Sequence, residues 1–294
     1  MGTHPSDPSD PSDPSDFVLT ATCVDRPGIV HAMTGYLVEQ GANINECQQF
    51  EDPSTGRFFI RLVFRCEKHS LDTLQDGFTS VATEFGMEWG LWPAGKPIRA
   101  LVLVSKLGHC LNDLLFRQQV GSLPLEIVAV GSNHLTFQKT VATHDIPFHH
   151  IPVTAQTKAQ SETRILELVQ EYDVELVVLA RYMQVLSDNL CRTLEGRAIN
   201  IHHSFLPSFK GARPYHQAHD RGVKLIGATA HYVTPDLDEG PIIEQDVARI
   251  DHTYSPDHMV VAGRDVETQV LARALTWHAE HRVFLNGSST VVLR

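Results

Sequence analysis

Four short apolar runs, separated by helix-like segments, constrain the fold of this chain more than any other feature. The runs read RALVLVS at 99–105, LEIVAVGS at 125–132, ELVVLAR at 175–181 and AINIHHS at 198–204. Such near-continuous runs are typical of parallel strands buried on both faces. Their alternation with helical patterns predicts an open, mostly parallel, Rossmann-like α/β sheet. Because ligands of such sheets bind beyond the carboxyl ends of the strands, we expect the chemistry just after Ser105, Arg181 and Ile201.

A different order of elements precedes this sheet. Residues 17–92 alternate strand-like and helix-like patterns in the order β-α-β-β-α-β, which is the ferredoxin-like motif. The stretch PAGKP that follows is typical of a linker. Before residue 17 the chain repeats Pro-Ser-Asp, a composition that forms no core. We therefore predict a disordered tail over 1–16, a first domain over 17–93, a linker over 94–98 and a second domain over 99–294.

Composition excludes several classes of protein. The formal net charge of -11 argues against sequence-independent nucleic-acid binding, which needs a basic surface. No apolar run approaches the roughly 20 residues of a membrane span, and the first residues lack the features of a secretory signal. The five cysteines are scattered without a C-x-x-C pair, as expected of reduced thiols. We expect a cytoplasmic protein that binds neither nucleic acid nor membranes.

The densest polar stretch lies at the end of the last apolar run. Asn200 and His202 are two residues apart, so in a strand both side chains face the same side. An Asn amide can stabilise an oxyanion, and His is the usual general acid or base near neutral pH. A lone His at a strand end is, however, more often structural. Downstream, a loop with Asp236, Asp238 and Glu239 can bring a carboxylate to the imidazole.

The 17 histidines raise the alternative of a metal hydrolase. Adjacent or closely spaced pairs occur at His149 and His150, at 202 and 203, and at His216 and His219. The chain has no H-E-x-x-H sequence and no third-ligand pattern near these pairs. We therefore expect no metal, and we expect His149 and His150 in a strand-to-loop connection.

The longer motifs are more specific than the single residues. The strings NIHHSFLP, GARPYHQA and GATAHYV, followed by LDEGPII, resemble the formyltetrahydrofolate-dependent formyl transfer family over about residues 99–293. The resemblance implies a catalytic Asn, His and Asp, which match Asn200, His202 and, before the short turn, Asp238 rather than Asp236. It also implies folate contacts from two segments: Arg181, Tyr182, Met183, Gln184, Val185 and Leu186, and Thr234, Pro235, Asp236, Leu237, Glu239 and Gly240.

The N-terminal region refines this resemblance. Its first strand, the following turn and the sequence GANI resemble an ACT domain, a regulatory module that often binds amino acids and pairs through its sheet. A purely structural or dimerising role is the open alternative. The implied effector site is the turn formed by Asp25, Arg26, Pro27, Gly28 and Ile29, with glycine or methionine as the effector.

An ACT-like domain ahead of a formyltransferase-like domain resembles the deformylase members of the family. That resemblance implies hydrolysis of 10-formyltetrahydrofolate to tetrahydrofolate and formate, without a cofactor, in a homo-oligomer. It also implies a role in balancing one-carbon folate pools and supplying formate for purine synthesis. The loop SKLGHCL has one glycine, Gly108, and is poorly suited to holding an acceptor phosphate. The alternatives are a formyltransferase that uses a small amine and a non-catalytic regulator that binds folate or an amino acid.

Overall fold

The chain divides into two compact units. A computed structural model describes residues 16–206 and 214–294. The first unit ends at Lys96 and includes Leu293–Arg294, and the second covers Pro97–Val292. The predicted tail lies outside the described residues except for its last residue, Asp16. That residue belongs to the first strand, because it pairs with Arg65 and forms an ion pair with its guanidinium at 2.8 Å.

The first unit has the predicted β-α-β-β-α-β order. Its elements are β1 (Asp16–Val24), α1 (Ile29–Glu39), β2 (Asn43–Asp52), β3 (Arg57–Arg65), α2 (Leu71–Phe85) and β4 (Glu88–Pro93). The strands form an antiparallel sheet in the order β2-β3-β1-β4. Ser70 caps α2 by accepting a hydrogen bond from the Thr73 amide, and Gly86 ends that helix in the left-handed conformation. Both helices pack their apolar side chains into one core with the sheet.

The second unit contains a seven-stranded sheet with helices around it. Its strands are β5 (Ile98–Val104), β6 (Leu125–Ser132), β7 (Phe148–His150), β8 (Leu176–Leu179), β9 (Ala198–His202), β10 (Leu225–Tyr232) and β11 (Ile242–Arg249). The helices are α3 (His109–Gln119), α4 (Gln138–Ala142), α5 (Lys158–Glu171), α6 (Asp188–Thr193), α7 (Pro214–Asp220) and α8 (Pro256–Ala279). A hairpin of β12 (Val283–Asn286) and β13 (Ser289–Val292) follows.

The strand order is β11-β10-β9-β8-β5-β6-β7. The strands from β9 to β7 are parallel, whereas β10 and β11 are antiparallel additions at one edge, so the predicted mostly parallel sheet is confirmed. Strands β5, β8 and β9 bury almost every residue because apolar clusters cover both faces of the sheet. His149 and His150 lie in β7 rather than in a connection, since they pair with Gly131 and Ser132 of β6.

Two features of this sheet place the candidate site. The parallel neighbours β5, β8 and β9 end at the same edge, so the segments that follow them meet there. The antiparallel pairing of β9 and β10 sets His231 directly opposite Asn200. Within the part of the chain that the structure describes, no helix is both long enough and apolar enough to cross a membrane.

Candidate active site

A buried imidazole and a carboxylate form the centre of the candidate site. His202 is the last residue of β9, and its Nδ1 lies 3.2 Å from Oδ1 of Asp238, in the loop after β10. The His202 Nε2 atom is buried and has no hydrogen-bond partner among the described residues. A buried polar atom without a partner costs free energy, and this one lies in a residue that lines a cavity. Its hydrogen-bonding capacity is therefore not used by any described residue.

The charge of Asp238 is maintained by this pairing. Burial by itself raises the pKa of the carboxyl group, but the hydrogen bond and the positive charge of His202 outweigh burial, so the pKa lies below its usual value. Asp238 is thus a carboxylate near neutral pH. A carboxylate at Nδ1 fixes the orientation of the ring and its tautomer. In the neutral ring Nδ1 then carries the proton, and Nε2 is the nitrogen that accepts one.

Asn200 is oriented by a second histidine that the sequence analysis did not assign to the site. His231 Nδ1 lies 2.9 Å from the Tyr232 carbonyl oxygen and must donate to it. In the neutral ring Nε2 is then an acceptor, and it receives an N–H of the Asn200 amide at 3.2 Å. Burial lowers the pKa of His231, which favours this neutral form. Because a side-chain amide has two N–H groups, one of those on Asn200 remains for a ligand.

The loop that carries Asp238 is held in an unusual backbone conformation. Asp238 has φ of 57°, in the left-handed region, which Asp tolerates better than most residues. At Gly240 the chain approaches β10 so closely that a Cβ atom would lie 1.8 Å from the Tyr232 carbonyl oxygen. Only glycine fits there. Asp238, two residues earlier in the same loop, has its carboxylate next to His202.

A cavity of about 300 Å³ opens beside these side chains. The three predicted catalytic residues line it. So do nine of the predicted folate contacts: Arg181, Tyr182, Met183, Gln184, Val185, Leu186, Thr234, Pro235 and Leu237. Asp236, Glu239 and Gly240 are not among its lining residues. Asp236 instead accepts hydrogen bonds within the loop through its carbonyl oxygen, from the Thr234 hydroxyl and the Glu239 amide.

Residues 181–186, which follow β8, form one wall of the cavity and are held in place by neighbouring segments. The Ser105 hydroxyl, at the end of β5, accepts a hydrogen bond from the Met183 amide at 2.9 Å and contacts Asn133 at 2.8 Å. Arg181, the first wall residue, has φ of 63° and is buried. Bulky residues rarely adopt this conformation, so surrounding structure must enforce it. Of the three strand ends predicted to carry the chemistry, those at Arg181 and Ile201 line the cavity, and Ser105 contacts the cavity residue Met183 without lining the cavity itself.

A buried polar cluster lies behind Arg181. The carboxylate of Glu267 in α8 accepts hydrogen bonds from His109 Nε2 at 2.7 Å and from the Tyr215 hydroxyl at 2.9 Å, and Arg181 Nε lies 3.4 Å away. Burial raises the pKa of Glu267, but the His109 hydrogen bond and the Arg181 charge lower it by more. The pKa therefore lies below its usual value, and the carboxyl group is charged near neutral pH. This cluster satisfies a charge that would be costly if it were unpaired.

His109, Cys110 and Glu267 are also the residue types that bind metals, and their ligand atoms lie within 4.8 Å of one another. In this structure both oxygens of Glu267 are engaged in hydrogen bonds, with His109 and Tyr215, and burial raises the pKa of the Cys110 thiol. The carboxylate is therefore satisfied by its protein partners.

Comparison with known proteins identifies the family of the chain. Residues 98–275 match the family described as Formyl transferase, which defines the second unit as a formyl transferase domain. A formyltetrahydrofolate deformylase from Corynebacterium sp. (strain P-1) is 54% identical over 94% of this chain and 98% of its own length. One from Bacillus subtilis is 48% identical, over 93% and 92%. The crystal structure of the Burkholderia mallei deformylase has a TM-score of 0.92 and 51% identity, covering 96% of this chain and 100% of that one. The chain belongs to the formyltetrahydrofolate deformylase family, so the resemblance in the sequence is confirmed.

Proposed function

We propose that this chain hydrolyses 10-formyltetrahydrofolate to tetrahydrofolate and formate. The observation that carries the proposal is the His202–Asp238 pair, with its unpartnered Nε2 atom, beside a free Asn200 N–H at one cavity. An amide donor and an imidazole are the groups that attack on a formyl carbonyl requires. The relatives' printed name supports the same substrate.

The pterin end of the folate occupies the cavity between the wall after β8 and the loop 233–240, with the formyl group beside Asn200 and His202. A water oxygen attacks the formyl carbon, and the carbonyl electron pair moves to the oxygen. The free N–H of Asn200 stabilises that oxyanion. His202 Nε2 takes a proton from the water, and Asp238 stabilises the resulting imidazolium. Collapse of the intermediate breaks the C–N bond, and His202 returns the proton to the folate nitrogen. No metal or cofactor enters these steps, and we expect full activity after dialysis against EDTA.

Two features favour water over a phosphorylated amine as the acceptor. The loop between β5 and α3, where a phosphorylated acceptor would need backbone donors, is packed against Phe137. A Cβ atom at Gly108 would lie 2.3 Å from that ring. The second feature is that the deformylase relatives span both units of the chain. The non-catalytic alternative would leave the arrangement of Asn200, His202 and Asp238 without a purpose.

A direct assay tests the proposal. The purified full chain, given 10-formyltetrahydrofolate and no amine, should release one formate for each tetrahydrofolate formed. Formate release that requires an added amine would favour a transferase instead. Absence of any turnover, with tetrahydrofolate still bound, would favour the non-catalytic regulator.

We also propose that the first unit is an ACT domain that regulates turnover and pairs in a cytoplasmic homo-oligomer. Its β-α-β-β-α-β order and sheet order are compatible with such a domain. The turn from Asp25 to Ile29 leads into α1, whose first N–H groups have no side-chain cap, so a ligand carboxylate has donors to bind there. The enzyme would thereby adjust one-carbon folate pools and the formate available for purine synthesis.

The effector proposal is tested by calorimetry with glycine and with methionine on the full chain. Binding of either at millimolar concentration, with a change of about 5-fold or more in substrate affinity, is expected for coupled sites. If neither amino acid binds, the first unit is a dimerisation module, which the molecular mass in solution would show.

A further inference from the structure

A second imidazole faces the cavity and has no role in the steps above. His203 follows His202 and lines the same cavity. The two rings stack, with centroids 4.8 Å apart and planes at 25°. None of the residues in 16–206 and 214–294 forms a hydrogen bond with the His203 ring. Its nitrogen atoms are therefore available to a small molecule in the cavity.

The surroundings of His203 favour a neutral ring. Charged or titratable groups face it from several elements: Arg181, His202, Asp238 and Glu267, while the Tyr215 ring lies 6.5 Å away. Burial lowers the pKa of His203 to about 4, and the positive charges of Arg181 and His202 act in the same direction. Near neutral pH the ring therefore offers one nitrogen lone pair as an acceptor.

The spacing of the two rings suits a water molecule. A water that donates both hydrogens, each at about 2.8 Å, spans two acceptors about 4.4 Å apart. The two ring centroids are 4.8 Å apart and both residues line the same cavity, so one water molecule is small enough to contact both rings. A water that donates both hydrogens keeps its lone pairs for a group in the cavity, which Asn200 also lines.

We propose that His203 binds the nucleophilic water together with His202 and directs it at the formyl carbon. This inference rests on the proposed hydrolysis. The water donates one hydrogen to His202 Nε2, which takes that proton as the C–O bond forms, and the other to His203, which keeps only the hydrogen bond. His203 thereby reduces the cost of fixing a small, mobile nucleophile.

Two substitutions separate this role from simple ring packing. His203→Phe keeps a ring that stacks on His202 but removes the acceptor, whereas His203→Asn keeps an acceptor and loses the ring. Water binding predicts that the Phe variant loses about 100-fold in kcat with KM changed less than about 3-fold. It also predicts that the Asn variant retains more activity than the Phe variant. The exposed His150 supplies the control His150→Phe, which should match the parent.

Calorimetric titration with tetrahydrofolate shows whether each variant keeps its folate pocket. A Phe variant with parental kcat, or one more active than the Asn variant, would overturn the inference while leaving the hydrolysis intact. If the parent enzyme releases no formate, the proposed function itself fails. The two failures are therefore distinguishable.

Discussion

At the scale of single residues, the candidate site combines groups whose protonation states are set by their neighbours. The carboxylate of Asp238 stays charged because His202 pairs with it. Burial lowers the pKa of His231 and outweighs the hydrogen bond to the Tyr232 carbonyl, which raises it, so the neutral ring is favoured. That neutral ring in turn orients the Asn200 amide. Each reacting group therefore has a partner that sets its proton and its direction.

Removal of the central pair should abolish most turnover. We expect His202→Ala to lower kcat by more than about 100-fold, because positioned acid–base groups typically contribute 10²–10⁴-fold. Asp238→Asn should cost a similar factor, since it removes the negative charge that stabilises the imidazolium. Steady-state kinetics measure both, with circular dichroism to confirm folding. Near-parental turnover in a folded His202→Ala protein would exclude this mechanism.

At the scale of elements, the site depends on where one loop meets one strand. The loop after β10 lies against its own strand at Gly240, and the segment after β8 is tied to β5 through Ser105. Both loops contain a non-glycine residue with positive φ, namely Asp238 and Arg181. The stability of the sheet holds these strained residues in place.

A single methyl group should disturb this arrangement. In Gly240→Ala the new Cβ would meet the Tyr232 carbonyl oxygen, so the loop must move and carry Asp238 away from His202. We expect kcat to fall by about 100-fold, the order of loss that a displacement near 1 Å causes, with little change in the circular dichroism spectrum.

The matched control for this substitution is Gly35→Ala in α1, where a Cβ meets nothing within 4 Å. Its activity should equal that of the parent. Equal activity of Gly240→Ala and the parent would mean that the loop tolerates the displacement, and that the position of Asp238 does not limit turnover.

At the scale of the whole molecule, α8 contributes both to the apolar core of the second unit and to the polar cluster around Glu267. The helix packs against β9, β10 and β11 and supplies the buried Glu267. It also carries His278, whose Nδ1 forms a hydrogen bond with the Tyr232 hydroxyl at 2.8 Å. Removal from water lowers the pKa of the partly buried His278 to about 4. The folded second unit therefore holds His278 in its neutral form near neutral pH.

This histidine should make stability depend on pH. The unfolded chain protonates it below about pH 6.5, while the folded chain resists protonation down to about pH 4. Stability is therefore fully present above about 6.5 and is lost as pH falls toward 4, by about 2 kcal/mol at pH 5. Urea unfolding at pH 7 and pH 5 measures this loss.

His278→Asn keeps an acceptor for Tyr232 and removes the titration, so its free energy of unfolding should fall less between the two pH values. His150→Asn, at an exposed position, should behave like the parent. An unchanged pH dependence in His278→Asn would show that the unfolding reaction does not report protonation of this group.

The class of fold and the family followed from the amino-acid sequence alone, which also predicted Asn200, His202 and Asp238 as the reacting residues. Continuous apolar runs require strands buried on both faces, and the spacing of Asn200 and His202 places both on one side of a strand. The edge strands β10 and β11 and the role of His231 were not predictable, because strand pairing joins residues distant in sequence. The cluster around Glu267 was hidden for the same reason: His109, Arg181, Tyr215 and Glu267 come from four separate segments. Only packing decides which distant polar groups share one buried space, since each must find its partner there or remain in water.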